Sequence, residues 1–166
     1  MNARAAFRIS ACGFFCLIEI LCLGSAKAQV SIGIDVTATI RDTTATPEIV
    51  FSLRNTSNQS VEIPRKVLPW VQQTSVVLVA VALDQPQDPL INYHAFQYPP
   101  SDSVVVLPGE TISGSVSLRG QFRGVEELLL KTPVLVFWSY QLRTPDGAES
   151  KRFGGQLVVS KSGRNT

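Results

Sequence analysis

Between Val30 and Ile40 every second residue is apolar: Val30, Ile32, Ile34, Val36, Ala38 and Ile40 alternate with Ser31, Gly33, Asp35, Thr37 and Thr39. A period of two places one set on each side of a strand, so this stretch reads as a half-buried strand. The same grammar recurs along the chain. Ile49, Phe51 and Leu53 point one way, and Val61 and Ile63 resume the pattern after the turn composition of Asn55 to Ser60. Pro64 then stops the run.

Further on, Val76-Val77-Leu78-Val79-Ala80-Val81-Ala82-Leu83 is apolar on both faces, and residues 84–89 read as a Pro-rich loop. Residues 91–98 are aromatic, and Val104 to Leu107 and Thr111 to Leu118 flank Pro108-Gly109, a pair suited to a type II turn. In the second of those runs Ile112, Val116 and Leu118 form the apolar set. Residues 121–132 have material for one or two helical turns but not for an independent helix, so they are expected to cross between sheets. Val134 to Arg143 is a strand. Thr144-Pro145-Asp146-Gly147 is the clearest turn, and a return strand over about 150–160 puts Phe153, Leu157 and Val159 on one face. About eight strands without a long helical period predict an all-β fold, an Ig-like antiparallel β-sandwich with Greek-key connections.

Residues 1–28 read as a cleaved secretory signal peptide. Arg4 and Arg8 precede an apolar stretch from Gly13 to Leu23, which Glu19 interrupts, and Ala26-Lys27-Ala28 offers small residues for cleavage. The stretch falls short of the ~20 residues of a spanning helix, so no stable membrane anchor is expected after cleavage. The expected location is periplasmic or secreted. Removing this segment also removes Cys12, Cys16 and Cys22 and leaves acidic and basic residues in balance. Residues 29–160 are then one sandwich domain held by its core alone, and 161–166 a flexible tail.

Composition narrows the chemistry. The chain has 17% charged residues and a net charge of +2, too apolar for disorder and without the clustered Lys and Arg of a nucleic-acid surface. His94 is its single histidine, and no G-x-S-x-G, H-E-x-x-H, P-loop or G-x-G-x-x-G motif occurs. Asp84, Asp88, Asp102 and Glu110 are the candidates for a carboxylate pair, but solvated loop charges are the plainer reading. No enzyme, cofactor or metal site is expected. Tyr93, His94, Phe96 and Tyr98, with Trp70, are the candidate partner-binding residues, because loop aromatics add contact area at little entropic cost; the favoured reading is that Tyr93, Phe96 and Tyr98 cap one end of the core while His94 faces water. The other anomaly is the second face of 76–83. Either the loop at 84–103 covers it, the favoured expectation, or it is open as a binding patch.

Two short elements carry a resemblance. Phe51 to Ile63, with Asn55-Thr56-Ser57 at its turn, resembles the strand, Asn-x-Ser turn, strand signature of bacterial Ig-like secreted domains. Val105-Val106-Leu107-Pro108-Gly109-Glu110-Thr111-Ile112 resembles their recurrent Pro-Gly-Glu element. In order, the two resemble the non-catalytic Ig-like domain of deuterolysin-type metallopeptidases, over about 48–142, and small β-sandwich proteinase inhibitors show a similar grammar. The resemblance implies fold and secretion; the zinc-peptidase motif is absent, and Lys66 to Trp70 only loosely echoes that family's Leu-Lys-Trp-like segment. The function expected is an exported, non-enzymatic module that contacts another protein through a loop or a sheet face. The alternatives are a protease-inhibitor-like module, a structural or assembly subunit of the cell envelope, and a carbohydrate-binding sandwich.

Overall fold

A computed structural model describes residues 32–42, 46–93, 98 and 100–160. The signal-like segment, the tail, His94 and Phe96 lie outside the described residues.

Alternation does most of the building. Strand β1 (Ile34–Arg41) pairs antiparallel with β2 (Glu48–Asn55), from Ile34 opposite Asn55 to Arg41 opposite Glu48. The other side of β2 pairs with β7 (Thr111–Ser117), Ile49 opposite Val116 and Leu53 opposite Ile112. A short ladder joins β3 (Val61–Pro64) to β6 (Ser103–Val106). A four-stranded sheet holds β4 (Val76–Ala82), β5 (Gln85–Pro89), β8 (Val134–Tyr140) and β9 (Phe153–Val159) in the order β5-β4-β8-β9. Every pairing is antiparallel. The fold is all-β and sandwich-like.

The two large sheets meet through their apolar sets. Ile34, Ile49, Phe51 and Leu53 from one, and Leu78, Ala80, Val136 and Trp138 from the other, are all buried. Phe51 meets the Trp138 ring edge-on, with centroids 5.7 Å apart. Burying such side chains is worth about 1.5–3 kcal/mol each and is the main force holding the layers together. Glycines admit the large rings: a Cβ on Gly114 of β7 would lie 2.1 Å from Cγ of Trp70, and one on Gly155 would lie 3.0 Å from Nε1 of Trp138.

The two elements that carried the resemblance meet in space. Asn55 is fully buried, and its side-chain nitrogen donates to the carbonyls of Gln59 (2.7 Å) and Val106 (2.9 Å). Its side-chain oxygen accepts the backbone N–H and hydroxyl of Ser57. Its backbone N–H donates to the Glu110 carbonyl, and its carbonyl accepts from Gly109, which sits at φ +78°. One buried amide thus ties the β2–β3 turn to the β6–β7 turn, leaving none of its own polar atoms unmade.

Several boundaries differ from expectation. The expected loop at 84–89 contains β5, whose ladder to β4 shifts register between Val81 and Ala82. Its two prolines are tolerated because an edge strand needs only one row of backbone donors. The run expected to end at Leu118 ends at Ser117, and the helical crossover is two short pieces, α1 (Leu118–Gln121) and α2 (Val125–Leu129). The return strand begins at Phe153 because Ser150 is used otherwise: its hydroxyl accepts the Leu142 N–H, and its own N–H donates to the Leu142 carbonyl. The Thr144–Gly147 turn forms as expected, with Gly147 at φ +83° and its N–H on the Thr144 carbonyl.

Candidate partner-binding face

In β4, Val76, Leu78 and Ala80 enter the core, so alternation sends Val77 and Val79 outward. In β8, Val134, Val136, Trp138 and Tyr140 enter the core, which sends out Leu135, Phe137 and Ser139. Register brings the outward sets together, with Val79 opposite Phe137, Val77 opposite Ser139 and Leu135 opposite Val158. Val77 is 57% exposed, Val79 42%, Phe137 42% and Val158 58%. Apolar side chains on three adjacent strands therefore form one open patch and are not scattered singly over the surface.

The segment expected to cover this face runs along the edge of β4 instead. After β5, the Leu90 N–H donates to the Ala80 carbonyl (2.8 Å), the Asn92 side-chain nitrogen reaches the Leu78 carbonyl (3.2 Å), and the Tyr93 N–H donates to the Gln121 carbonyl (2.7 Å). Edge-on pairing satisfies these backbone groups but covers little of the face beyond Val81. The described part of the segment leaves the patch open, which corrects the favoured expectation.

At the Val77–Ser139 end the patch runs into a concavity of about 320 Å³ with a mixed lining, in which Val67 and Val77 stand beside Ser75, Ser139, Gln141 and Arg152. The buried Tyr140 hydroxyl donates to the Val67 carbonyl (2.9 Å) and fixes one wall; burial pushes this phenol well above its ordinary pKa and keeps it protonated. On the other wall Arg152 is held by two neutral acceptors, the Ser139 hydroxyl (3.4 Å) and the Gln141 side-chain oxygen (3.1 Å). The Gln141 nitrogen donates to Glu149 (3.1 Å), and Glu149 also pairs with Arg143. The Ser75 hydroxyl oxygen is buried beside them without a hydrogen-bond partner. The concavity thus presents hydrogen-bonding groups with a slight positive excess beside an apolar row.

The residues singled out in the sequence fall elsewhere. Trp70 is half-buried with its indole packed on Gly114, so its ring serves the fold. Tyr93 and Tyr98 are exposed in the 90–100 segment, and His94 and Phe96 lie outside the described residues. Of the acidic candidates, Asp102 pairs with Arg65 at 3.0 Å and Glu110 accepts the Leu107 N–H at 2.7 Å. Asp84 and Asp88 are exposed at the β4–β5 edge. Among the described residues no three His, Cys, Asp or Glu side chains gather as a metal site, and no helix is long and apolar enough to cross a membrane. Sequence reasoning passed over Ser139, Gln141, Arg143, Glu149 and Arg152. A signal existed in the outward register of β8 and its continuation, which turns from Leu135 and Phe137 to Ser139, Gln141 and Arg143.

No family model and no curated protein matches the chain. Among solved structures, it is similar in outline to a protein from Archaeoglobus fulgidus, at 13% identity over 76% of this chain and 94% of that one, with a TM-score of 0.38. A likeness of that size transfers no function.

Proposed function

We propose that the protein is an exported, non-enzymatic, Ig-like binding module that holds another protein against the outer face of its four-stranded sheet. The observation that carries this reading is the open apolar row of Val77, Val79, Phe137 and Val158 leading into the concavity edged by Ser139, Gln141 and Arg152. An apolar centre bordered by hydrogen-bonding groups is the anatomy of a protein interface: desolvation supplies affinity, and the polar margin supplies orientation. Export is supported by the signal-like residues 1–28, and neither a cofactor nor turnover is part of the proposal.

A photo-reactive amino acid at Phe137, introduced in the native host, tests it. One discrete cross-linked partner is expected there, and none from the same probe at Thr37 on the opposite outer face. Equal labelling from both positions would sink the assignment of this face.

A further inference from the structure

The two ends of the four-stranded sheet are defended unequally. At one end β5 carries Pro86, Pro89 and Asp88, and its ladder to β4 is broken by a register shift. Prolines, a charge and an irregular ladder are the devices by which an edge strand refuses further pairing. At the other end β9 runs Phe153-Gly154-Gly155-Gln156-Leu157-Val158-Val159, without charge or proline, in unbroken register with β8. Among the described residues no strand pairs with its outer side. Gly154, Gly155, Gln156 and Val158 are exposed.

The sequence of β9 also suits itself as a partner. When two identical strands pair antiparallel about an axis normal to their sheet, one residue faces its own copy. With Gln156 in that place, all seven residues are paired. Gly154 then faces Val158 of the second copy, Gly155 faces Leu157, and Phe153 faces Val159, so each glycine leaves room for a branched side chain. Centring on Gly155 or Leu157 instead leaves residues unpaired or draws Arg152 or Ser160 into the ladder.

We propose that the chain forms a two-fold dimer through β9, with Gln156 facing Gln156 of the second copy and the two four-stranded sheets joined into one of eight strands. Backbone hydrogen bonds supply the pairing, and side-chain fit sets the register. Val158 of each copy comes to lie beside Gly154 of the other, so the two apolar outer faces become one surface. The dimer stands independently of whether that face binds a further protein.

Sedimentation velocity of the wild type and of Gln156→Lys and Gln156→Glu, each alone and mixed in equal amounts, tests it between about 1 and 100 µM, which spans micromolar dissociation constants. The wild type is expected to reach twice the chain mass. Each variant alone places like charges face to face and is expected to self-associate about two- to fivefold more weakly, with an unchanged far-ultraviolet circular dichroism spectrum. The mixture is expected to recover the dimer as a Lys–Glu heterodimer, which only contact of position 156 with itself produces. A wild type monomeric at every concentration, a Gln156→Lys variant that dimerises like the wild type, or a mixture that stays monomeric would each overturn the proposal. A photo-reactive probe at Phe137 reads the proposed partner face separately.

Discussion

On the outer face of the β1-β2-β7 sheet, Asp35, Thr37, Arg41 and Ser113 are exposed and Glu48 and Ser52 half-buried, and Val50 is the single apolar residue among the outward positions of the three strands. The Arg41 and Glu48 side chains pair across β1 and β2, and the Ser52 and Ser113 hydroxyls meet at 2.8 Å. On the outer face of the four-stranded sheet, β4, β8 and β9 contain no charged residue, and Val77, Val79, Leu135, Phe137 and Val158 take outward places beside Ser139, Gly154 and Gln156. Both faces belong to antiparallel sheets over one core, and antiparallel sheets ordinarily keep one wet face. A chain that builds one such face has no need of strand propensity to explain the apolar character of the other. The difference teaches that strand alternation alone does not decide the character of an outer face; on the proposed reading, a bound protein accounts for the second one.

The contrast can be broken most directly at two phenylalanines. Phe51→Ala empties a fully buried site and is expected to cost about 3–5 kcal/mol in urea denaturation, whereas Phe137→Ala on the open face is expected to cost about 1 kcal/mol or less. Equal losses would mean that the outer face is a second, covered core.

Tyr140 tests the boundary between the two sides of β8. Its pKa is raised by burial, and the unfolded phenol titrates near 10. Below pH 10 both states hold the proton and the contribution is intact. Above it the unfolded state ionises while the folded state does not, so stability falls as pH rises. Tyr140→Phe is expected to lose about 1 kcal/mol at neutral pH with the Val67 hydrogen bond and to show a shallower alkaline decline. An unchanged decline would place the phenol in water.

Making the apolar face resemble its counterpart is a smaller perturbation. The double variant Val79→Thr/Phe137→Thr is expected to stay within about 1 kcal/mol of wild-type stability. Capture at a photo-reactive probe placed at Val77, away from β9, is expected to fall at least tenfold. Undiminished capture would move the partner elsewhere.

The smallest effect lies on the polar face. The Arg41 side chain, by hydrogen bonding, holds the Glu48 carboxyl below its ordinary range, so the pair's contribution is present above the unfolded carboxylate pKa and lost as pH falls through the lowered one. Glu48→Gln is expected to make acid unfolding slightly less steep, with no change in partner capture. Thermal melts between pH 2 and 6 read it.

What the sequence made legible was periodicity and turn chemistry. The inward sets of β1, β2 and β9 follow from alternation, the turn at Gly147 from its residues, and the two-sided character of β4 from an uninterrupted apolar run. What stayed hidden depends on distant register. β5 looked like a loop because its prolines are acceptable only at an edge, and nothing local says where an edge is. Trp70 looked like a free aromatic because the glycine that receives it lies 44 residues away, at 114. The concavity draws on Ser75, Ser139, Glu149 and Arg152, which no local sequence pattern brings together. The resemblance elements proved interpretable as structure: Asn55 and the Gly109–Glu110 backbone bond one another, which accounts for both without a functional site.

The pairing of β4 with β8 has a consequence in time. The Val76–Ala82 strand is synthesised some fifty residues before its neighbour Val134–Tyr140. At about 5–20 residues per second, that leaves several seconds in which a strand apolar on both sides has no β8 to lie against. During that interval both sides of the Val76–Ala82 strand are without partners, the condition in which unfinished chains associate with one another.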